Sequence, residues 1–129
     1  MMRPARDMQG LLPLAPHHFQ ILLSLLHGDL HGYAILKEIS ERTDGEVVLG
    51  TSTLYAALQR LVRDGFLQET GGGESQKAQG PPRKLFRITE SGRALAREEG
   101  LRIQRLSRVV AESGLFDALA PAVPGKERR

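Results

Sequence analysis

The chain has no cysteine and no tryptophan, and its aromatics are limited to two tyrosines and four phenylalanines. Without cysteine there can be no disulfide, thiolate metal site or cysteine nucleophile. With so few aromatics, the core must be built from Leu, Ile, Val and Ala. Long apolar runs are also missing. The stretch QILLSLL at residues 20–26 falls well short of the roughly 20 residues that span a bilayer. The N-terminus carries no signal-peptide pattern. These features predict a cytoplasmic protein with no membrane association.

Catalytic signatures are lacking as well. There is no Ser-His-Asp spacing, no H-E-x-x-H and no phosphate-cradling glycine motif followed by Lys-Ser/Thr. The GGGES stretch at 71–75 lies in an expected hairpin tip rather than between a strand and a helix. Of the four histidines, His17 and His18 are adjacent, so they do not share a helix face. His27 and His31 flank Gly28, and none of the four has a clean ligand spacing. No catalytic residue, metal or cofactor is assigned, and the chain is read as a non-enzyme.

At 129 residues the length suits one domain, or one domain with a helical appendage. Such a chain buries about two thirds of its unfolded surface. The net charge of +3 hides an asymmetry. Residues 28–49 carry two basic and five acidic side chains, whereas residues 50–110 carry eleven basic and six acidic ones. A basic second half points to a polyanionic partner.

Residues 1–14 mix Met, Arg, Pro and Gly without a period and read as an N-terminal arm. Pro16 suits a first helical position. Phe19, Leu22, Leu23 and Leu26 then recur at helical spacing as far as His27, and Gly28 ends the helix. A second helix is predicted over about 31–43, with Ile35, Leu36 and Ile39 inward and a break at Asp44 and Gly45. Val47, Val48 and Leu49 are β-prone, too few for an independent strand, and take the place of a short strand in the element order.

The stretch GTSTLYAALQRLVRDGFL at 50–67 predicts a third helix capped by Thr51. Leu54, Leu58 and Leu61 form its buried stripe, and Gly65 is the stop. FLQET and KLFRIT read as the strands of a hairpin joined by a long tip rich in Gly and Pro. Thr89 then caps a long helix over about 90–113, with Gly114 as its stop. Residues 117–129 read as a flexible tail.

Three helices followed by a hairpin define a mainly α, winged helix-turn-helix domain, here over residues 15–89 with the wing at about 66–89. In such domains the second helix of the pair enters the major groove, its N-terminal residues at the base edges. That role explains why small hydroxyls begin the third helix. Thr51, Ser52 and Thr53 are consecutive, yet a cap needs only one of them. Gln59, Arg60 and Arg63 would face flanking DNA. Tyr55 is open to two readings, a core aromatic or a phosphate contact. Arg83 and Lys84 follow Gly-Pro-Pro, a stiff turn suited to presenting cations to phosphates or the minor groove. Along the long helix, Leu95, Ile103, Leu106 and Val110 form a stripe with no partner left in so small a domain. Residues 90–116 are therefore read as a dimerisation helix, and a two-fold homodimer would match a palindromic site.

The ordered set HGYAILKEI, STLYAALQRLVRDGFL and GPPRKLFRITESGR resembles the PadR family of bacterial transcriptional regulators over about residues 16–113. The resemblance implies a homodimeric repressor that binds double-stranded DNA and excludes polymerase from a promoter. It implies DNA contacts by Ser52, Thr53 and Tyr55 and by wing residues Arg83 and Lys84, with dimerisation through the C-terminal helix. It leaves open a small-molecule effector near the dimer interface, which the few aromatics here do not identify. Two features depart from the family pattern. Ser52 stands where Gly commonly precedes Thr-Leu-Tyr, and the chain resembles the short subgroup with a single C-terminal helix. The rival reading is a winged-helix protein–protein adaptor. The cationic surface of the third helix, with no acidic neighbour before Asp64, favours DNA.

Overall fold

The computed structural model describes residues 8–71 and 84–119. Helix α1 spans Pro16–Ser24 and starts with Pro16 at its first position, where the missing N–H loses no intrahelical bond. It ends earlier than the periodicity suggests. Leu25 and Leu26 bond instead to the carbonyls three residues back, which tightens the chain into a turn. Ile21, Leu22 and Leu25 are fully buried.

Strand β1, Leu30–His31, leads directly into α2, Gly32–Arg42. The exit from α2 uses Asp44 in the left-handed region at φ 54°, followed by Gly45 at φ 79°. The Asp44 N–H reaches Glu41 O and the Gly45 N–H reaches Ser40 O, so two orphan carbonyls are satisfied. Thr43 Oγ1 steadies the next loop by accepting from the Val47 N–H at 3.0 Å.

Helix α3 spans Thr51–Arg63. Gly65, at φ 84°, lets the chain reverse after it. The Gly65 N–H bonds Val62 O and the Phe66 N–H bonds Leu61 O, while Leu61 and Phe66 are both buried. This pairing of hydrogen bonds with an apolar contact defines a Schellman stop. Strands β2, Leu67–Thr70, and β3, Leu85–Ile88, follow, and then α4, Glu90–Glu112.

The three strands form an antiparallel sheet in the order β1-β3-β2. Leu67 pairs with Ile88 and Thr70 with Leu85, while Leu30 pairs with Phe86 on the other side of β3. The strand expected at 47–49 is not formed; the third strand is Leu30–His31 instead. That pairing occupies the free edge of β3. Val47 and Leu49 pack on the core as irregular backbone, and Val48 is 72% exposed.

The junction of wing and α4 is tight. Thr89 caps α4, its Oγ1 accepting from the Gly92 N–H at 3.0 Å. The same hydroxyl donates to Gly65 O at 2.7 Å, which ties this cap to the end of α3. Any side chain at Gly92 would strike the Phe66 carbonyl. Glycine here allows α4 to lie directly against the backbone entering β2.

Three expectations are corrected. Residues 8–14, expected as part of an arm, lie against the domain: Met8–Leu11 form a 3-10 turn, and Met8, Leu12 and Leu14 pack on the core. The Leu14 N–H reaches the Glu99 carboxylate at 3.3 Å, and Gln9 donates to Glu98 at 3.3 Å. Leu95, expected at the dimer surface, is 1% exposed and belongs to the core of its own chain. It lies in the N-terminal half of α4 and belongs to the buried core cluster, so the subunit itself covers it. Past α4, Gly114 turns the chain at φ 82° into a short helix α5, Leu115–Leu119, where the expected tail begins. Residues 120–129 lie outside the described residues.

The result is a mainly α domain with a small antiparallel sheet. α2 and α3 form the helix-turn-helix, and β2 with β3 forms the base of the wing. This is the winged helix-turn-helix expected from the sequence.

Candidate nucleic-acid interface

Helix α3 has two sharply different sides. Leu54, Ala57, Leu58 and Leu61 are buried and hold it to the domain. At about 3.6 residues per turn, the opposite stripe is Ser52, Ala56, Gln59 and Arg63, and all four are exposed. This outward stripe contains no carboxylate. Arg63 forms no ion pair among the described residues.

Thr51 is not the cap. Gly50 takes the N-cap position, with extended backbone and no side-chain hydrogen bond, and the Leu54 N–H reaches the Gly50 carbonyl. Extended backbone at Gly50 places Thr51 one position inside the helix, so Thr51, Ser52 and Thr53 all stand exposed in its first turn. None of the three is needed as a cap.

The remaining residues of the predicted set lie on the flanks. Tyr55, 41% exposed, leans over the first residue of α2. A Cβ on Gly32 would collide with its hydroxyl, and its ring carbon Cζ would be 2.7 Å away. Tyr55 therefore combines a packed ring with a partly open surface. Arg60 is on the other flank, 3.5 Å from Asp64 and near His18. Burial pushes the His18 imidazole below its ordinary pKa; His17 and Arg60 push the same way and Asp64 opposes them.

In the wing, Lys84 is exposed and lies 3.7 Å from Glu69 on the paired strand. Arg83 lies outside the described residues. Tyr55, Gln59, Glu69, Lys84 and Phe86 line a cleft of about 280 Å³ between α3 and the wing. The structure thus brings Lys84 alongside Tyr55 and Gln59, and leaves Arg60 on the opposite side of α3.

Sequence reading misses two residues. Ala56 has no polar group to single it out, although its spacing from Ser52 and Gln59 puts it in the middle of the outward stripe. Arg87 forms a bidentate pair with Asp29, at 3.1 and 2.9 Å. It links the loop before β1 to β3 and so acts as a strut of the wing. No local pattern signals that pair, because 58 residues separate its members.

On α4, the stripe continues beyond the domain. Ile103 is 39% and Leu106 50% exposed, and with Val110 and Phe116 they line an apolar groove. No group of residues suited to hold a metal ion occurs among the described residues. None of the described helices is long and apolar enough to cross a membrane.

Comparison with known proteins agrees with this architecture. The transcriptional regulator PadR-like family matches residues 21–98. An uncharacterised protein of Lysinibacillus sphaericus is 38% identical over 78 residues, which cover 60% of this chain and 69% of that protein. A transcriptional regulator from Clostridium thermocellum superimposes with a TM-score of 0.63 at 28% identity, covering 81% of this chain and 94% of that one. Bacillus subtilis PadR, solved in complex with operator DNA, shares the fold at a TM-score of 0.57 and 23% identity, covering 65% of this chain and 46% of that one. With the family matched from α1 into α4, the chain belongs to the PadR-like family of transcriptional regulators, a family of regulators rather than enzymes.

Proposed function

We propose that the chain is a cytoplasmic, homodimeric repressor that reads a palindromic operator. The observation that carries this reading is the outward stripe of α3. Ser52, Ala56, Gln59 and Arg63 present polar, small and cationic groups with no carboxylate, on a helix anchored by its opposite leucines. A major groove about 12 Å wide admits such a helix. Lys84 and, beside it in sequence, Arg83 would meet the flanking backbone, with Thr51, Thr53 and Tyr55 at the edges of the groove. Arg60 would act at the periphery, where its pairing with Asp64 must be exchanged for a phosphate.

The exposed groove of Ile103, Leu106 and Val110 supports pairing of two copies through α4. A two-fold pair sets two α3 helices on one face of DNA, and the half-site spacing then follows from the dimer. Repression follows from occupying promoter DNA. The Bacillus subtilis relative solved with operator DNA supports this use of the fold.

The test is binding to DNA from upstream of the protein's own gene, followed by anisotropy across a salt series with random DNA as competitor. Specific binding by two subunits, with affinity falling steeply as salt rises, is expected. Absence of binding even at low salt would overturn the reading in favour of a protein–protein adaptor.

A further inference from the structure

We infer that Ala56 is a specificity-determining residue that reads thymine through its C5 methyl group, with Gln59 reading adenine about one base-pair step away. The inference rests on the proposed DNA-binding function and makes it more specific.

The outward stripe carries two short side chains, Ser52 and Ala56, followed by two long ones, Gln59 and Arg63. A helix that enters a groove N-terminus first is deepest at its start. Short side chains there let the backbone approach the base edges. Longer ones further on span the widening gap as the helix leaves the groove. The stripe has the gradient such a tilt requires.

Ala56 is exposed at the centre of this stripe, and its methyl group neither donates nor accepts a hydrogen bond. Thymine is the one base that offers a methyl group on the floor of the major groove. Facing N4–H of cytosine, O6 of guanine or N6–H of adenine, the Ala56 methyl would bury a polar group without a partner. Gln59 follows three residues later, about 4.5 Å along the helix axis. Residues three apart are neighbours on one face, about 5–6 Å between Cβ atoms, which places Gln59 within reach of the adjoining base pair. Its carboxamide carries a donor and an acceptor side by side, which matches N7 and N6 of adenine.

The flanks of α3 do not compete for this role. Tyr55 is turned against Gly32 and Arg60 toward Asp64. The Ser52 hydroxyl both donates and accepts, so it tolerates several bases. Each half-site is therefore expected to carry adjacent A·T pairs beneath the middle of α3.

The test starts from sites selected by the full chain out of a random pool of double-stranded DNA. Each thymine of a selected site is then replaced by uracil, which removes only the C5 methyl. One such position per half-site is expected to weaken binding about fourfold, the worth of one buried methyl group. In Ala56→Gly, checked for folding by circular dichroism, thymine and uracil at that position are expected to bind alike. Gln59→Ala is expected to relax preference at the neighbouring pair. The inference is overturned if the unmodified protein tolerates uracil at every position, a result that needs no variant. It is equally overturned if the penalty persists in Ala56→Gly. A pool in which no sequence is enriched would overturn sequence-specific DNA binding itself, a different result from specific binding indifferent to the methyl group.

Discussion

The hydroxyl of Tyr55 occupies the space into which a side chain on Gly32 would grow. The first turn of α2 and the outer flank of α3 are therefore matched to each other. Gly32→Ala should destabilise the domain by about 1–3 kcal/mol, as overpacking does. In a Tyr55→Ala background the same change should be neutral or stabilising by up to about 1 kcal/mol, because alanine then restricts only the unfolded chain. Denaturant unfolding of the four proteins in this cycle checks the coupling. Additive effects would show that the two residues do not compete for space.

The wing carries a second expectation. Arg83→Ala with Lys84→Ala should weaken binding to all DNA sequences alike and reduce the salt slope by about one for each phosphate no longer neutralised. Glu69→Gln should act in the opposite direction, since it releases Lys84 from its ion pair across the hairpin. Anisotropy titrations between low and moderate salt test both. An unchanged slope in the double variant would remove the wing from the interface.

Acidification should act through Glu99. Its carboxylate is buried, accepts from Arg102 at 2.7 and 3.0 Å, and receives the Leu14 N–H. The Arg102 hydrogen bonds hold its pKa below the ordinary value of 4.5; burial opposes this, and the Leu14 N–H adds to the lowering. Such a group contributes stability that is complete above the unfolded value and is lost as pH falls through the lower folded value. Glu99→Gln should cost about 1.5–3 kcal/mol at neutral pH, toward the lower end because Arg102 is partly exposed to solvent. Thermal unfolding should show the gap between the native chain and the variant closing below about pH 4.5. A gap that stays constant down to about pH 3, beneath the ordinary carboxylate range, would contradict this role for the pair.

Pairing of two copies is tested by Leu106→Glu. A carboxylate placed in the groove of Ile103, Val110 and Phe116 should split the dimer while leaving the monomer fold intact, because Leu106 is half exposed within the subunit. Light scattering should give the monomer mass at concentrations where the unmodified chain is dimeric. Affinity for a palindromic site should fall at least tenfold, while single half-sites bind as before. A dimer that survives this change would place the interface elsewhere.

Much of this molecule is written in local pattern. Leu54, Leu58 and Leu61 set the phase of α3, and that phase places Ser52, Gln59 and Arg63 outward. Pro16, Thr89, Gly65 and Gly114 mark helix ends through backbone chemistry that needs no distant partner. The order of these elements, with the motifs they carry, is enough to suggest the winged helix and its family.

Only the tertiary structure decided the features that depend on partners far apart in sequence. Two residues at 30–31 became the third strand by pairing with β3, whereas in the more β-prone 47–49 Val47 and Leu49 pack on the core as irregular backbone. Leu95 and Leu106 share one helix stripe, yet the first is covered by its own subunit and the second is not. Residues 8–14 lie against the domain because the Glu99 carboxylate and the core meet them there. Periodicity tells which face of an element is apolar. What covers that face is settled by where the rest of the chain packs, and no local pattern contains that information.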